Sequence, residues 1–291
     1  MRHYVALTKP RITWLILVST AIGYAFGVPA RVGWLHWLAH LDFWRLFHTL
    51  LGTALMASGT AALNQWWERE PDAQMRRTAG RPIPSGAVSA PRALVFGIAI
   101  SVAGFAELAA AVNLASALLG SATLASYLFL YTPLKRRSWL STTVGAFPGA
   151  MPPVIGFAAA RGPTLAYAAV LFAILFFWQF PHFYAIAWMY REDYARAGIR
   201  MLPVVEPDCR STARQMLLGC AALLVVSVLP AAFGMSGRIY TFGALVLGAW
   251  LLYSVLQVMA EQTRLRARAV LIASVVYLPL LYGLLVLDRR W

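Results

Sequence analysis

Apolar residues fall along this chain in blocks, not in periodic stripes. Nine predominantly apolar runs stand out, at about Ile12–Val28, Phe47–Leu63, Ala93–Val112, Ala115–Tyr131, Thr143–Ala160, Leu165–Trp188, Met216–Phe233, Tyr240–Met259 and Ala269–Leu287. Each is near the roughly 20 residues a helix needs to cross a hydrocarbon core. Inside lipid, backbone groups must bond within their own segment or around a closed barrel, so runs of this length predict transmembrane helices. The third and fourth runs nearly meet at Asn113, which predicts a tight helical hairpin. The first follows Arg2, Lys9 and Arg11 and ends in Val28-Pro29-Ala30, in the manner of a secretory leader. It is long for a leader, and further runs follow, so a retained first helix is expected. The fifth carries Gly145, Pro148, Gly149, Pro152, Pro153 and Gly156. That composition rules out a regular lipid-facing helix and predicts a packing seam that also bounds a cavity. The expected fold is an all-α membrane protein, a single domain over 1–291, with nine transmembrane helices around a cavity opening towards cytoplasmic-side loops.

Composition agrees: 60% of the 291 residues are hydrophobic and 12% charged, with a mean hydropathy of +0.65. A soluble domain carries about a quarter charged residues. Lys and Arg number 25 against 11 Asp and Glu, a net charge of +14. In a soluble protein that excess would suggest nucleic acid. Here the basic residues lie between apolar runs, so the lipid bilayer is the partner they imply and nucleic acid is not expected. With the N-terminus in the cytoplasm, nineteen of the basic residues fall on the cytoplasmic side. Arg31, Arg45, Arg161, Arg238, Arg289 and Arg290 fall opposite. This bias places the C-terminus on the far side, although the Arg289-Arg290 pair runs against it. The loops after runs two and six are long and carry both signs of charge, while those after four and eight are short and basic. This alternation is what an internal duplication would leave. Cys209 and Cys220 have neither zinc nor disulfide-framework spacing.

The loop after the second run contains Asn64, Glu68 and Asp72 at i, i+4 and i+8, which a helix would stack on one face. Oxygen ligands of this kind suit Mg²⁺ shared with substrate phosphates. Arg76, Arg77 and Arg81 follow, as fixed positive charge for the rest of a polyanion. Pro71 disfavours helix at Glu70, so Asp72 either extends the face or begins a new turn. Spacing alone fits a salt-bridged surface loop equally well; position at the end of an apolar run favours a site. By parity, Lys135, Arg136 and the loop with Asp193 and Tyr194 lie on the same side. His182, near the end of run six, either meets a ligand or holds the loop. His36, His40 and His48 fall on the opposite side. Glu107 lies within run three, where an ionisable group is expensive.

The stretches Leu7-Thr-Lys9-Pro10-Arg11, Asn64 to Asp72, Met75-x-Arg77-Thr78-x-x-Arg81-Pro82 and Tyr131-Thr-Pro-Leu-Lys135-Arg136 resemble the UbiA-type intramembrane prenyltransferases. Trp178-Gln-x-Pro-His182-Phe and Ala-Gly198-x-x-Met201-Leu202-Pro203 resemble their heme O synthase branch. The resemblance implies farnesyl transfer from farnesyl diphosphate to a vinyl group of heme B in a bacterial inner membrane. It implies Mg²⁺ on Glu68, Asp72 and Asp193, and a catalytic set of Asn64, Glu68, Asp72, Arg77, Arg81, Lys135, Arg136 and Asp193. It also implies a heme side formed by His182 and Tyr194, and as partner the enzyme that converts heme O to heme A. Trp66, Trp67 or Phe183 would shelter an allylic cation. Two positions depart from the pattern: Ala197 stands where relatives carry a second acid, and Glu68 and Glu70 stand where Asp is common. The competing readings are a prenyltransferase with another acceptor and a transporter or heme carrier.

Overall fold

The computed structural model describes residues 1–29, 37–38, 41–206 and 208–290. Arg31, His36 and His40, placed above on the far side, lie outside them. The described residues are helical almost throughout. A short α1 (Arg2–Leu7) precedes α2 (Pro10–Gly27), α3 (Phe43–Trp67), a one-turn extension α4 (Arg69–Gln74) and α5 (Ala90–Ala111). Helix α6 (Leu114–Leu134) follows, then the pair α7 (Ser141–Gly149) and α8 (Pro152–Ala159). The rest comprises α9 (Leu165–Met189), the short α10 (Arg191–Arg196) and α11 (Leu202–Val205), and the long α12 (Arg210–Ala232), α13 (Arg238–Ala260) and α14 (Arg264–Leu287). Seven of these, α3, α5, α6, α9, α12, α13 and α14, are long and apolar enough to cross a membrane. The chain is a multi-pass integral membrane protein.

The two remaining apolar runs are also helical, but in forms their sequences dictate. Helix α2 has 18 residues and opens on Pro10-Arg11. The Gly/Pro-rich fifth run is broken into α7 and α8, of 9 and 8 residues. Its glycines make the seam: a Cβ on Gly156 would lie 1.9 Å from the Thr20 carbonyl oxygen, and one on Gly23 equally close to that of Pro153. Only a bare backbone allows α2 and α8 to approach this closely.

Several helices begin before their apolar runs. Asp42 caps α3 by accepting from the Arg45 amide at 2.8 Å, so the helix starts at Phe43 and not at Phe47. At 25 residues, α3 and α9 are each about 37 Å long, so their ends leave the hydrocarbon. The hairpin at Asn113 forms as expected. Its side chain accepts from the Ser116 amide at 2.8 Å and donates to the Ala158 carbonyl at 3.0 Å.

Helices α9, α12, α13 and α14 share the larger core, around Tyr184, Met216, Leu223, Tyr240, Val270 and Tyr277. Two buried hydroxyls there find partners: Tyr277 meets Ser227 Oγ at 2.8 Å, and Tyr240 donates to the Ser227 carbonyl at 2.8 Å. Arg289, the residue against the charge bias, has a structural use. It donates to the carbonyls of Ala25 and Val28, both at 2.7 Å, and so ties the chain's last helix to the end of its first. Glu107 pairs with His48 across α3 and α5, which removes the isolation of a carboxylate at membrane depth.

Candidate functional site

Polar residues continue directly out of α3. Asn64 is buried in its last turn, and Glu68 ends the helix with φ −92° and ψ 15°. The chain restarts as α4, yet the hydrogen-bond ladder is not lost. The Glu68 amide donates to the Asn64 carbonyl at 2.9 Å, and the Asp72 amide to the Glu68 carbonyl at 2.8 Å. Asp72 therefore begins a new turn and still keeps the i+4 register. Asn64, Glu68 and Asp72 line one cavity of ≈ 130 Å³, together with Arg77, Arg81, Lys135 and Tyr194.

Each acid meets a cation. Lys135 Nζ lies 2.8 and 3.1 Å from the two Glu68 oxygens, and Asn64 Nδ2 donates to Glu68 Oε2 at 3.0 Å. Arg81 reaches Asp72 Oδ2 at 2.5 Å. Burial pushes the Glu68 carboxyl upward, but the Lys135 ammonium outweighs it and holds the group below its ordinary value. Lys135 moves well above its ordinary value: burial opposes its charge, and Glu68 overcomes that.

Six further residues at the cavity, Lys9, Met75, Tyr127, Tyr131, Ile199 and Met201, are not in the expected catalytic set. Lys9 sits in the left-handed region at φ 47°, immediately before Pro10, and donates to Asn64 Oδ1 at 3.3 Å. Without a carboxylate of its own, it is pushed down to about 7, by burial first and then by the charges of Arg81 and Lys135. Its sequence signal was its place before an apolar run on the same side as the acidic loop. Tyr127 and Tyr131 come from a π-helical turn, Ser126–Tyr131, that ends α6. Their rings lie 5.9 and 4.4 Å from Lys135 Nζ. Met201, with Ile199, closes the cavity from the loop after α10, which is anchored where the Arg200 amide donates to the Lys135 carbonyl at 2.8 Å.

Other expected residues lie elsewhere. Asp193 does not line this cavity: it accepts from the Arg77 amide at 3.4 Å, pairs with Arg196, and faces a neighbouring cleft. Arg136 is exposed to solvent, one position past Lys135. His182 is well down α9, where its Nδ1 meets Ser274 Oγ of α14 at 2.9 Å and its ring stacks on Trp178. Neither Trp66 nor Trp67 lines the cavity, and Trp67 stands beside Phe129. The tyrosines occupy the place expected of these tryptophans.

Three cations, Arg77, Arg81 and Lys135, face two carboxylates, and Lys9 adds a fourth when protonated, so the cavity carries an excess of one to two positive charges. A polyanion fits that balance. One atom also points to a cation: Asp72 Oδ1 is buried without a hydrogen-bond partner. An orphaned carboxylate oxygen is costly unless an ion or water meets it. Among the described residues, no three acidic, histidine or cysteine side chains already stand together as a metal cluster.

A helical bundle with a charged cavity at the mouth of its apolar helices is the architecture of an intramembrane transferase. Residues 16–278 match the UbiA prenyltransferase family, and the chain belongs to it. Proteins of Solibacter usitatus and Koribacter versatilis, both called protoheme IX farnesyltransferase, are 67% and 47% identical to it. The first alignment covers 99% of both chains, the second 99% of this chain and 94% of the relative. The fold is shared with a digeranylgeranylglyceryl phosphate synthase, at a TM-score of 0.80 and 14% identity over 99% of this chain and 97% of that one. It is shared too with a UbiA homologue from Archaeoglobus fulgidus bound to GPP and Mg²⁺, at 0.65 and 18% identity over 98% and 99%.

Proposed function

We propose that this protein transfers the farnesyl group of farnesyl diphosphate to a vinyl group of heme B, releasing diphosphate and leading to heme O. The full-length similarity to protoheme IX farnesyltransferases supports the acceptor. The observation that carries the donor site is the cavity's excess of positive charge beside the unpartnered Asp72 Oδ1.

Lys9, Arg77 and Arg81 bind the diphosphate and stabilise the charge that grows on it as the carbon–oxygen bond breaks. Lys135, locked on Glu68, fixes the cavity wall. The faces of Tyr127 and Tyr131 shelter the allylic cation that remains. Met201 and Ile199 limit water's access, so the cation meets the vinyl group first. The alkylated vinyl group then takes up water to give the hydroxyethylfarnesyl chain. Mg²⁺ would fit the unpartnered Asp72 oxygen, joined by Glu68 only if its pair with Lys135 opens, and would supply further positive charge at the leaving group. Asp193 enters such a ligand set only if its pair with Arg196 opens. A heme-side role for His182 falls to Nε2, because Nδ1 is taken by Ser274. Arg136 remains available to the diphosphate's outer oxygens at the cavity mouth. The deciding experiment mixes purified protein, heme B, farnesyl diphosphate and Mg²⁺ and reads the products by mass. An unaltered porphyrin, or farnesylation of a different acceptor in preference, would overturn the reading.

The proposed topology has nine crossings, with α2 and the α7–α8 pair as the two beyond the seven long helices. Lys9 and the loops after α3, α6 and α9 converge on one cavity, which supports strict alternation of direction. Arg289 meets the opposite end of α2, which supports a C-terminus on the far side. The charge bias makes the cavity side cytoplasmic, in a bacterial inner membrane. Reporter fusions after Val112 and after Leu287 are expected to report the outer side. The enzyme that oxidises heme O to heme A is the expected downstream partner.

A further inference from the structure

Beside the cavity lies a second, larger space of ≈ 290 Å³, between the α9–α10 turn and the α13–α14 loop. Four arginines line it, Arg76, Arg191, Arg196 and Arg264, against the acids Glu192 and Asp193, which leaves an excess of two positive charges. The arginines are not equally committed. Arg196 pairs with Asp193, and Arg191 donates to Cys209 Sγ at 3.7 Å. Arg76 and Arg264 form no ion pair among the described residues. Arg76 lies in the loop after α4 and Arg264 opens α14, and they line the space together with Trp188 and Met189, which add an apolar wall.

The wall between the two spaces is thin. Arg76 and Asp193 line the cleft, while their immediate neighbours Arg77 and Tyr194 line the cavity. The Arg77 amide donates to Asp193 across this wall at 3.4 Å. A flat acceptor that puts a reactive edge towards the cavity therefore has its opposite edge near the cleft. Heme B has that form: a vinyl edge to be alkylated and, across the ring, two carboxylates. Buried or half-buried carboxylates are best met by arginine, whose planar donors match both oxygens.

We infer that this cleft is the anchoring site for the two propionate carboxylates of the porphyrin acceptor, held by Arg76 and Arg264, so that binding orients the ring with its vinyl edge towards the diphosphate cavity. The inference rests on the proposed heme substrate. A lipid phosphate shares this anionic chemistry. The porphyrin is preferred because two carboxylates match the excess of two, where a lipid phosphodiester carries a single charge.

The test compares iron protoporphyrin IX with its dimethyl ester, whose carboxylates are neutral. Each is titrated by its Soret band into the full-length protein in bilayer discs. The acid is expected to bind roughly tenfold or more tightly than the ester, about the worth of one charge-assisted hydrogen bond. Arg76→Gln/Arg264→Gln should remove that preference, while binding of a farnesyl diphosphate analogue stays unchanged. Arg264→Lys should keep most of it. Equal binding of acid and ester to the unaltered protein would overturn the inference. So would a loss in the double variant confined to discs of anionic lipid, which would assign the cleft to a lipid headgroup. A protein that separates acid from ester but forms no farnesylated product would support the cleft and overturn the proposed reaction.

Discussion

In the loop after α3, both acids that face the cavity are buried, Asp72 at 1% and Glu68 at 9% exposure, each against a basic side chain. In the loop after α9, Asp193 is also buried, at 8% exposure, but its charged neighbours Arg191, Glu192 and Arg196 are all exposed. The two loops have similar composition but differ in how far the cations that meet their acids are buried. Removing a charge from water costs several kcal/mol, and a buried pair repays this only with good geometry. The first loop meets that cost with Lys135 and Arg81, two of the contacts that shape the cavity. The second pairs its one buried acid with Arg196, a side chain left largely in solvent, where pairs are worth little and partners are exchangeable. Fixed, desolvated charge suits a leaving diphosphate, whereas exchangeable charge suits reversible capture of an acceptor.

The contrast is most exposed to the two aspartates. Asp72→Asn is expected to lower turnover by roughly a thousandfold, the scale of losing one preorganised electrostatic group. Asp193→Asn should lower it by only about tenfold, with both variants retained in the membrane. Equal losses, measured as single-turnover rates at saturating Mg²⁺, would mean that both loops build one metal site. Next in size is Glu68→Gln, which leaves the Lys135 ammonium buried and uncompensated. It should destabilise the folded protein by about 3 kcal/mol, and Glu68→Gln/Lys135→Met should recover most of that. Thermal unfolding in detergent measures both, and a single variant as stable as the unaltered protein would show the pair to be solvent-screened like those of the second loop.

Lys9 gives a pH test. Its folded value of about 7 lies below the ordinary 10.5, so between these values the unfolded chain binds the extra proton. Through that window the Lys9 contribution makes stability rise with pH, and below about 7 protonation in the fold removes the dependence. Diphosphate should draw a proton back onto Lys9, so binding of an analogue at pH 8 is expected to take up close to one proton. Lys9→Met should abolish the uptake and weaken binding by about tenfold, as read by calorimetry in buffers of different ionisation enthalpy. Proton uptake unchanged in the variant would assign it elsewhere. The smallest effect concerns His182: losing its bond to Ser274 should cost about 1 kcal/mol of stability in His182→Ala. A heme-side role adds a shift of the Soret band that His182→Gln does not rescue, with diphosphate binding intact. Loss of both ligands in His182→Ala, restored in His182→Gln, would make it a residue that holds the helix.

Much of the molecule could be read without coordinates. The apolar runs were legible because crossing a membrane imposes a local condition, about 20 apolar residues with their backbone bonded in place. The break in the fifth run followed from its prolines, and the shared face of Asn64, Glu68 and Asp72 from helical spacing, even across the restart at Arg69. Tertiary structure decided the rest. Lys9 reaches the cavity because Gln65 donates to the Leu7 carbonyl at 2.8 Å and holds the end of α1 against α3. Tyr127 and Tyr131 share a face by their i, i+4 spacing, but that this face meets Lys135 is decided by how α6 packs. Asp193 and Tyr194 are neighbours in the chain and serve different spaces, since consecutive residues of a helix point about 100° apart. Which of the two meets the cavity depends on how α10 is set by the Arg77 amide, a contact between segments that local sequence does not specify.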